Sequence, residues 1–231
     1  MAAGDDDACP AVSVPPLSLP ATTAALAAGR PITIVTLGSS STAGVGASGP
    51  DKTYPILLEK SLRAAWPDHQ VKVINQGMGG QEADAMEARL DRDVLAADPV
   101  LVIWQAGSNA AMKHMDPQVF SHALDAGLNR LRAAGIDVIL MDNQRAPRVD
   151  AVPGHEIYDA ATAQQAHDHQ DSLFSRNALM ARWQQAGVRG LIGPDGLHHS
   201  DRGYACVTAV LAKAIIDATR HPVSVATGQR R

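Results

Sequence analysis

The chain has 231 residues, of which 45% are hydrophobic and 19% are charged, values typical of a globular protein with a substantial core. Its formal net charge of −4 excludes the basic field that attracts nucleic acid, so we expect no nucleic-acid partner. No window approaches the roughly 18 apolar residues that span a bilayer, and the acidic start lacks the regions of a signal peptide, so we expect neither a transmembrane segment nor a signal sequence.

Strand-like and helix-like patterns alternate along most of the chain. Residues 1–30 are rich in Pro, Ala, Ser and Thr and are expected to form an extended lead-in with at most one short helix. The domain is expected to span 31–220, followed by a polar tail at 221–231. The predicted strands are 32–37, 71–74, 100–104 and 138–141. The predicted helices are 54–65, 81–96, 117–134 and 201–220. The segment 155–187 is predicted to be mainly helical, with a short strand near Leu173 and Phe174.

This alternation predicts the fold class. Strands that alternate with helices of this length form βαβ units, which build a parallel sheet with helices on both faces. We therefore expect an α/β protein, a three-layer α/β/α sandwich with a central, mostly parallel sheet. In such folds ligands bind beyond the carboxyl ends of the strands.

Four segments at these positions carry side chains suited to acyl transfer. Residues 38–44 read GSSSTAG after the first strand, 75–80 read NQGMGG after the second, 107–109 read GSN after the third, and 195–198 read DGLH before the last helix. Acyl transfer needs a hydroxyl nucleophile, a base, a carboxylate that orients the base, and donors for an oxyanion. Each segment alone is more often a turn or a cap, so their order and spacing carry the argument.

In this order the segments resemble the motif blocks of the SGNH, or GDSL-type, hydrolases. The family's first block, GDSxTxG, corresponds to residues 38–44, and its second, an Asn followed five residues later by a Gly, corresponds to residues 75–80. Its third block, GxND, corresponds to residues 107–109 and the position after them, and its last block, DxxH, corresponds to residues 195–198. The resemblance runs from about residue 31 to about residue 218. It implies the flavodoxin-like SGNH hydrolase fold and a serine esterase activity.

The resemblance also implies a role for each matched residue. Ser40 would be the nucleophile, His198 the general base, and Asp195 the carboxylate that orients His198. The backbone N–H groups of Ser40 and Gly80, with the side-chain amide of Asn109, would form the oxyanion hole.

Two positions depart from the family pattern. Ser39 replaces the Asp that precedes the nucleophile, and Ala110 replaces the Asp that follows the oxyanion Asn. Neither lost carboxylate is a nucleophile, base or oxyanion donor, so the departures bear on the subfamily and on the loops more than on the reaction. They leave three consecutive serines, and Ser39 or Ser41 is an alternative nucleophile, although the register of the motif favours Ser40.

Other patterns receive no catalytic role. Residues 44–49 match the dinucleotide fingerprint GxGxxG, but they lie seven residues past the strand and Pro50 follows where a helix should open. His199 is predicted to lie at the rim of the site, and His167 and His169 are predicted to be solvated. No motif implies a metal or organic cofactor.

Hydrolysis of a small-molecule or glycan ester is the expected function. Short acyl groups are favoured, including O-acetyl groups on a polysaccharide, because SGNH relatives commonly have shallow, open sites. An acyltransferase with a sugar acceptor is the alternative, and a non-catalytic glycan- or nucleotide-binding module is the second alternative. Gln144 and Arg145 follow the fourth strand and are candidates for binding the alcohol portion or an anionic group of the substrate, although the pattern slightly favours Arg145 and Arg148 as solvated loop charges.

The two cysteines, Cys9 and Cys206, allow one disulfide bond between the lead-in and the last helix. The equal alternative is a reduced Cys206 that packs as a small apolar side chain. A disulfide would indicate an oxidising compartment and therefore export. The acidic start of the chain fits the beginning of a mature exported protein with an added Met, and it fits a cytoplasmic protein equally, so the sequence leaves the compartment open.

Overall fold

A five-stranded parallel sheet lies at the centre of the protein in this computed structural model, which describes residues 9–221. The strands are β1 (Ile32–Gly38), β2 (Val71–Gly77), β3 (Leu101–Gln105), β4 (Asp137–Met141) and β5 (Ser172–Phe174). Their order across the sheet is β2-β1-β3-β4-β5, and each neighbouring pair is parallel. All four predicted strands, and the short strand near Leu173 and Phe174, are therefore confirmed.

Helices follow the strands and cover both faces of the sheet. None of those within residues 9–221 is both long enough and apolar enough to cross a membrane. They are α1 (Pro20–Ala27), α2 (Ser40–Ala43), α3 (Tyr54–Ala65), α4 (Ala83–Glu87), α5 (Leu90–Asp93), α6 (Ser108–Met112), α7 (Pro117–Ala133), α8 (Pro147–Asp150), α9 (Glu156–His169), α10 (Arg176–Gln185) and α11 (Asp201–Arg220). Two 3₁₀ turns lie at Pro50–Lys52 and Leu95–Ala97.

The core lies on both sides of the sheet because successive strand residues point to opposite faces. In β1, Ile34 packs in a cluster with α1, α3, α10 and α11, whereas the next residue, Val35, packs in a second cluster with α4, α7 and α9. Both side chains are fully buried. Two apolar layers separated by one sheet give the expected three-layer α/β/α sandwich.

The longest helices begin and end where their sequences indicate. Asp116 caps α7 by accepting a hydrogen bond from the N–H of Gln118 at 2.7 Å, and Gly135 follows the helix with a φ of +71°. Ser200 caps α11 by accepting from the N–H of Gly203 at 3.1 Å. The predicted bounds of α3 and α11 match the observed ones.

The prediction of one continuous helix at 81–96 is wrong. The chain instead forms α4, α5 and a 3₁₀ turn, and Arg89 between the two helices has φ −109° and ψ 7°. Its guanidinium is buried and donates to the carbonyl of Gln76 at 2.8 Å and to Oε1 of Gln81 at 2.8 Å. It also pairs with Asp93 at 2.9 Å. These bonds turn the Arg89 side chain toward the carboxyl end of β2, at the point where the helix is interrupted.

The lead-in packs against the sandwich. Leu17 and Leu19 are each 2% exposed and belong to the first core cluster, and the indole N–H of Trp183 donates to the carbonyl of Pro10 at 2.9 Å. Core packing continues across residue 31, and the predicted domain division there stays a prediction. Residues 1–8 of the predicted lead-in and 222–231 of the predicted tail lie outside the described residues.

A disulfide bond joins Cys9 to Cys206 on α11, with a Cα–Cα distance of 5.6 Å. The sequence left a disulfide and a reduced, buried Cys206 equally open, and the structure contains the bond. It fastens the lead-in to the helix that closes one face of the sandwich.

Breaking this disulfide is expected to lower the free energy of unfolding by about 2–5 kcal/mol, because the bond closes a loop spanning nearly the whole chain and so limits the unfolded ensemble. Urea unfolding of Cys9→Ser, compared with the wild type with and without reductant, measures the effect. Reductant should leave the stability of the variant unchanged. Two free thiols in non-reduced protein purified from an oxidising compartment would contradict the bond.

Candidate active site

Ser40 is the first residue of α2, directly beyond the carboxyl end of β1. Its Oγ lies 2.8 Å from Nε2 of His198, and the residue is half-buried. The neighbouring serines are enclosed, with Ser39 3% and Ser41 2% exposed. The geometry therefore favours Ser40 over both alternative nucleophiles.

The second ring nitrogen of His198 faces Asp195. Nδ1 lies 2.5 Å from Oδ2 of Asp195, and Oδ1 accepts from the N–H groups of Leu197 and His198, each at 3.0 Å. Burial opposes ionisation of Asp195, but hydrogen bonds from the Leu197 N–H, the His198 ring and the His198 N–H outweigh it and lower its pKa to about 2. A charged carboxylate at neutral pH fixes the proton on Nδ1 and leaves Nε2 free to accept one from Ser40.

The loop after α2 packs closely against His198. Gly46 has a φ of +94°, and a Cβ there would lie 2.9 Å from Cβ of His198 and 2.5 Å from the carbonyl oxygen of His199. On α11, the Tyr204 hydroxyl donates to the carbonyl of Val45 at 2.7 Å. Gly46 thus permits a close approach to the histidine loop, and Gly44 permits a close approach to Thr53, so packing explains both without a nucleotide.

Glycines also bring α2 against the strand ends. A Cβ at Gly77 would lie 2.1 Å from the backbone nitrogen of Ala43, and a Cβ at Gly38 would lie 2.1 Å from Oγ1 of Thr42. Real side chains do not approach so closely. The helix that carries Ser40 therefore rests directly on the backbone of β2.

The loop after β2 passes beside Ser40. A Cβ at Gly79 would lie 4.0 Å from Cβ of Ser40, and the next residue, Gly80, has a φ of +77°. Lys113 donates from Nζ to the carbonyl of Gly80 at 2.6 Å, which helps to fix the loop. The N–H of Ser40, in the first turn of α2, has no acceptor within the helix. Gly79 thus lies beside Ser40, and the role of the Gly80 N–H in the oxyanion hole stays a prediction.

Asn109, the third predicted donor, lies on α6 beyond β3. Its Nδ2 donates to the carbonyl of Gln81 at 2.9 Å, which joins α6 to the loop after β2. An amide nitrogen carries two hydrogens, so one remains for another acceptor. The structure brings Asn109 and the Gly80 loop together on the side of the site next to Ser40.

Gln105 is a site residue that the sequence analysis missed. It is the last residue of β3 and is 1% exposed, and its Oε1 accepts from the N–H of Ser39 at 3.1 Å, the hydroxyl of Ser39 at 3.0 Å and the hydroxyl of Thr42 at 3.2 Å. These bonds hold both ends of the turn around Ser40. The sequence feature that could have identified Gln105 is its position at the carboxyl end of a buried strand, where ligand sites lie in this fold class.

The candidate substrate residues after β4 occupy different environments. Gln144 is 1% exposed, donates from Nε2 to the carbonyl of Leu197 at 3.1 Å and accepts from the hydroxyl of Ser108 at 3.2 Å. Its amide is enclosed and bonded within the protein, and the predicted substrate contact of Gln144 stays a prediction. Arg145 is partly exposed, with Nη2 3.7 Å from Oδ2 of Asp150, and a substrate contact there stays a prediction.

Two histidines are less exposed than expected. His199 is 1% exposed and its ring lies 5.3 Å from that of Tyr204, so it is not a rim residue. Its burial, above all, lowers its pKa to about 3. His169 is also buried, with Nε2 2.8 Å from Oδ1 of Asp125, whereas His167 is exposed as predicted. No group of three or more His, Cys, Asp or Glu side chains within 9–221 is arranged to hold a metal ion.

Solved structures share this fold. A two-domain esterase described as active on acetylated mannans superposes with a TM-score of 0.76 at 20% identity, covering 89% of this chain and 55% of that one. An acetyl xylan esterase superposes with a TM-score of 0.70 at 22% identity, covering 80% of this chain and 100% of that one. The chain thus spans about half the length of the two-domain esterase. At these identities the likeness shows the fold, and it confirms the three-layer sandwich.

The sequence comparisons add the family. Esterase TesA of Pseudomonas aeruginosa is 25% identical over 173 residues, which are 72% of this chain and 79% of that protein. Residues 8–221 match the non-GDSL lipase-like family, a description that suits the replacement of the GDSL aspartate by Ser39. The predicted SGNH resemblance and the predicted class of carboxylic ester hydrolase are both confirmed. The chain belongs to the non-GDSL lipase-like family of SGNH hydrolases.

Proposed function

We propose that the protein hydrolyses carboxylic esters through a Ser40–His198–Asp195 triad and an acyl-enzyme intermediate. The observation that carries the proposal is the pair of contacts made by one imidazole ring. His198 lies 2.8 Å from the Ser40 hydroxyl through Nε2 and 2.5 Å from the Asp195 carboxylate through Nδ1. Nucleophile, base and orienting carboxylate thus stand in hydrogen-bonded sequence, as acyl transfer requires.

In the first half of the reaction, Ser40 Oγ attacks the ester carbonyl carbon as its proton passes to His198 Nε2. The carbonyl oxygen becomes an oxyanion, which accepts hydrogen bonds from the N–H groups of Ser40 and Gly80 and from the Asn109 amide. The carbon–oxygen bond to the alcohol then breaks, and His198 gives its proton to the departing alcohol. Asp195 remains charged and stabilises the imidazolium.

In the second half, water attacks the acyl carbon. His198 takes a proton from the water, and the second tetrahedral intermediate collapses with cleavage of the bond to Ser40 Oγ. The proton on His198 returns to that oxygen, the carboxylic acid leaves and the enzyme is restored. The same donors serve both tetrahedral intermediates.

We propose esters with short acyl groups as substrates, among them O-acetyl groups on a polysaccharide. Two structural relatives are described as acting on acetylated mannans and as an acetyl xylan esterase. Both share the fold, and this supports a test on acetylated glycans. The disulfide between Cys9 and Cys206 supports an oxidising compartment and hence export.

A panel of p-nitrophenyl esters of rising chain length, together with acetylated mannan and acetylated xylan, tests the proposal on wild type and Ser40→Ala. We expect the highest kcat/KM for the shortest acyl groups and release of acetate from a glycan. Activity that Ser40→Ala retains in full would overturn the mechanism. An acetylated acceptor sugar in place of acetate would indicate transfer instead of hydrolysis.

Asn109→Ala is expected to lower kcat by about a hundred- to a thousand-fold, because an oxyanion donor acts mainly in the transition state. KM should change far less. Steady-state kinetics on p-nitrophenyl acetate measures both constants, and Asn129→Ala, at an exposed position on α7, serves as the matched control. A raised KM with normal turnover would contradict the assigned role.

A further inference from the structure

Gln144 connects two parts of the site that lie far apart in the sequence. It follows β4, is 1% exposed and is joined by hydrogen bonds to Ser108 on α6 and to Leu197 in the loop before α11. Ser108 precedes Asn109, and Leu197 precedes His198. One buried amide thus links the backbone that carries the proposed oxyanion donor to the backbone that carries the proposed base.

The two bonds fix the orientation of this amide. The carbonyl of Leu197 can only accept, so the group that faces it at 3.1 Å must be the NH₂ of Gln144. Oε1 then faces the Ser108 hydroxyl at 3.2 Å, and it shares that donor with Oδ1 of Asn143 at 3.1 Å. The amide of Gln144 thus offers a donor to Leu197 and an acceptor to Ser108.

The peptide bond between Leu197 and His198 has few other ways to be held. Its N–H donates to Oδ1 of Asp195 at 3.0 Å, and its carbonyl accepts from Gln144. The next carbonyl, that of His198, accepts from the N–H of Gly193 at 2.8 Å. Without the Gln144 amide, the Leu197 carbonyl loses this hydrogen bond. The peptide group that precedes His198 is then held through its N–H but not through its carbonyl.

The segment around Gln144 supports the same loop in other ways. The side chain of Leu197 packs in a small cluster with Ala146 and Val149, and the N–H of Arg148 donates to the carbonyl of Gly196 at 3.0 Å. These contacts hold the loop in the absence of the amide. A substitution of Gln144 alone is therefore expected to change the orientation of the His198 imidazole more than it changes the fold.

We propose that Gln144 is a positioning residue that sets the orientation of His198 relative to Ser40 and Asn109. The proposal rests on the proposed function, because it assigns Gln144 a part in that reaction. In this proposal Gln144 does not bind the substrate, and it acts on the reaction by orienting the base, His198.

Gln144→Leu tests the proposal by the division of its effect between kcat and KM. We expect kcat on p-nitrophenyl acetate to fall by about 10- to 100-fold, since misplacement of a reacting group by about 1 Å costs about a hundred-fold. KM should stay within about twofold of the wild-type value, because a residue acting through the base changes the transition state and not ground-state binding. Thr162→Val is the matched control: it removes a buried hydroxyl on α9 that bonds only within its helix, and its kcat should stay at the wild-type value.

Gln144→Glu adds a signature that a general loss of stability would not produce. A buried carboxyl group has a raised pKa, and in its neutral form it can donate to the Leu197 carbonyl as the amide does. In its charged form it can only accept and so repels that carbonyl. The ratio of variant to wild-type kcat should therefore rise as the pH falls through that pKa, whereas the ratio for Gln144→Leu should stay flat.

Proton NMR gives a readout independent of ester turnover. The Nδ1–H of His198, which faces Asp195 at 2.5 Å, should give a low-field signal that shifts or broadens in Gln144→Leu and stays in Thr162→Val. An unchanged signal, or a raised KM with wild-type kcat, would overturn the positioning role. If Ser40→Ala hydrolyses esters as fast as the wild type, the proposed function fails, and the NMR comparison still decides whether Gln144 orients His198.

Discussion

Ser40→Ala and His198→Ala are each expected to lower kcat/KM for short-chain esters by at least about a thousand-fold, and the double variant should lose little more. The hydroxyl and the imidazole act as one unit, joined at 2.8 Å. Removing either leaves only the oxyanion donors and substrate binding. Steady-state kinetics on p-nitrophenyl acetate measures the loss, with Ser41→Ala as the control that keeps its activity.

A fluorophosphonate identifies the nucleophile directly. It should modify Ser40 in the wild type, as mapped by mass spectrometry of the digested protein, and should react far more slowly with His198→Ala. Modification of Ser39 or Ser41 in the wild type would contradict the choice of Ser40, since both are enclosed here.

Gly77→Ala is expected to lower both stability and activity, although Gly77 takes no part in the chemistry. Its Cβ would lie 2.1 Å from the backbone nitrogen of Ala43, so α2 would have to move away from β2. Overpacking of this kind costs about 1–3 kcal/mol of stability. Displacing Ser40 by about 1 Å should lower kcat/KM by about a hundred-fold.

Urea unfolding and kinetics on p-nitrophenyl acetate measure these two losses. Gly79→Ala is the control for stability, because its Cβ would meet its nearest neighbour, Cβ of Ser40, at an ordinary 4.0 Å. Equal stability of the two variants would show that α2 can move from β2 without cost and would contradict the tight packing described here.

The sheet, most of the helices and the motif positions could be predicted from the sequence because they depend on local pattern. The β-branched run at 32–37 and the helical periodicity at 54–65 each record a burial preference that neighbouring residues share. Ser40 could be placed because it follows a strand, and parallel strands bring their carboxyl ends to one edge. The motif spacing then related it to His198 through the family resemblance.

What the sequence did not reveal depends on tertiary contacts of polar side chains. Gln144 and His199 look like loop residues that solvent could reach, but both are 1% exposed because distant segments cover them. Arg89 fits the periodicity of a continuous helix, yet its buried guanidinium bonds to the ends of strands and breaks that helix. A buried polar group is stable only where its partners are present, and sequence periodicity does not record those partners.

The disulfide has a consequence for the order of biosynthesis. Cys206 follows Cys9 by 197 positions, so at about 5–20 residues per second the first thiol waits about 10–40 s for its partner to leave the ribosome. With two cysteines in this sequence, one intramolecular pairing exists and no disulfide isomer can form. Within this sequence, a wrong partner for the waiting thiol is therefore a cysteine of another chain, so the competing product is a disulfide-linked dimer and not a misconnected monomer.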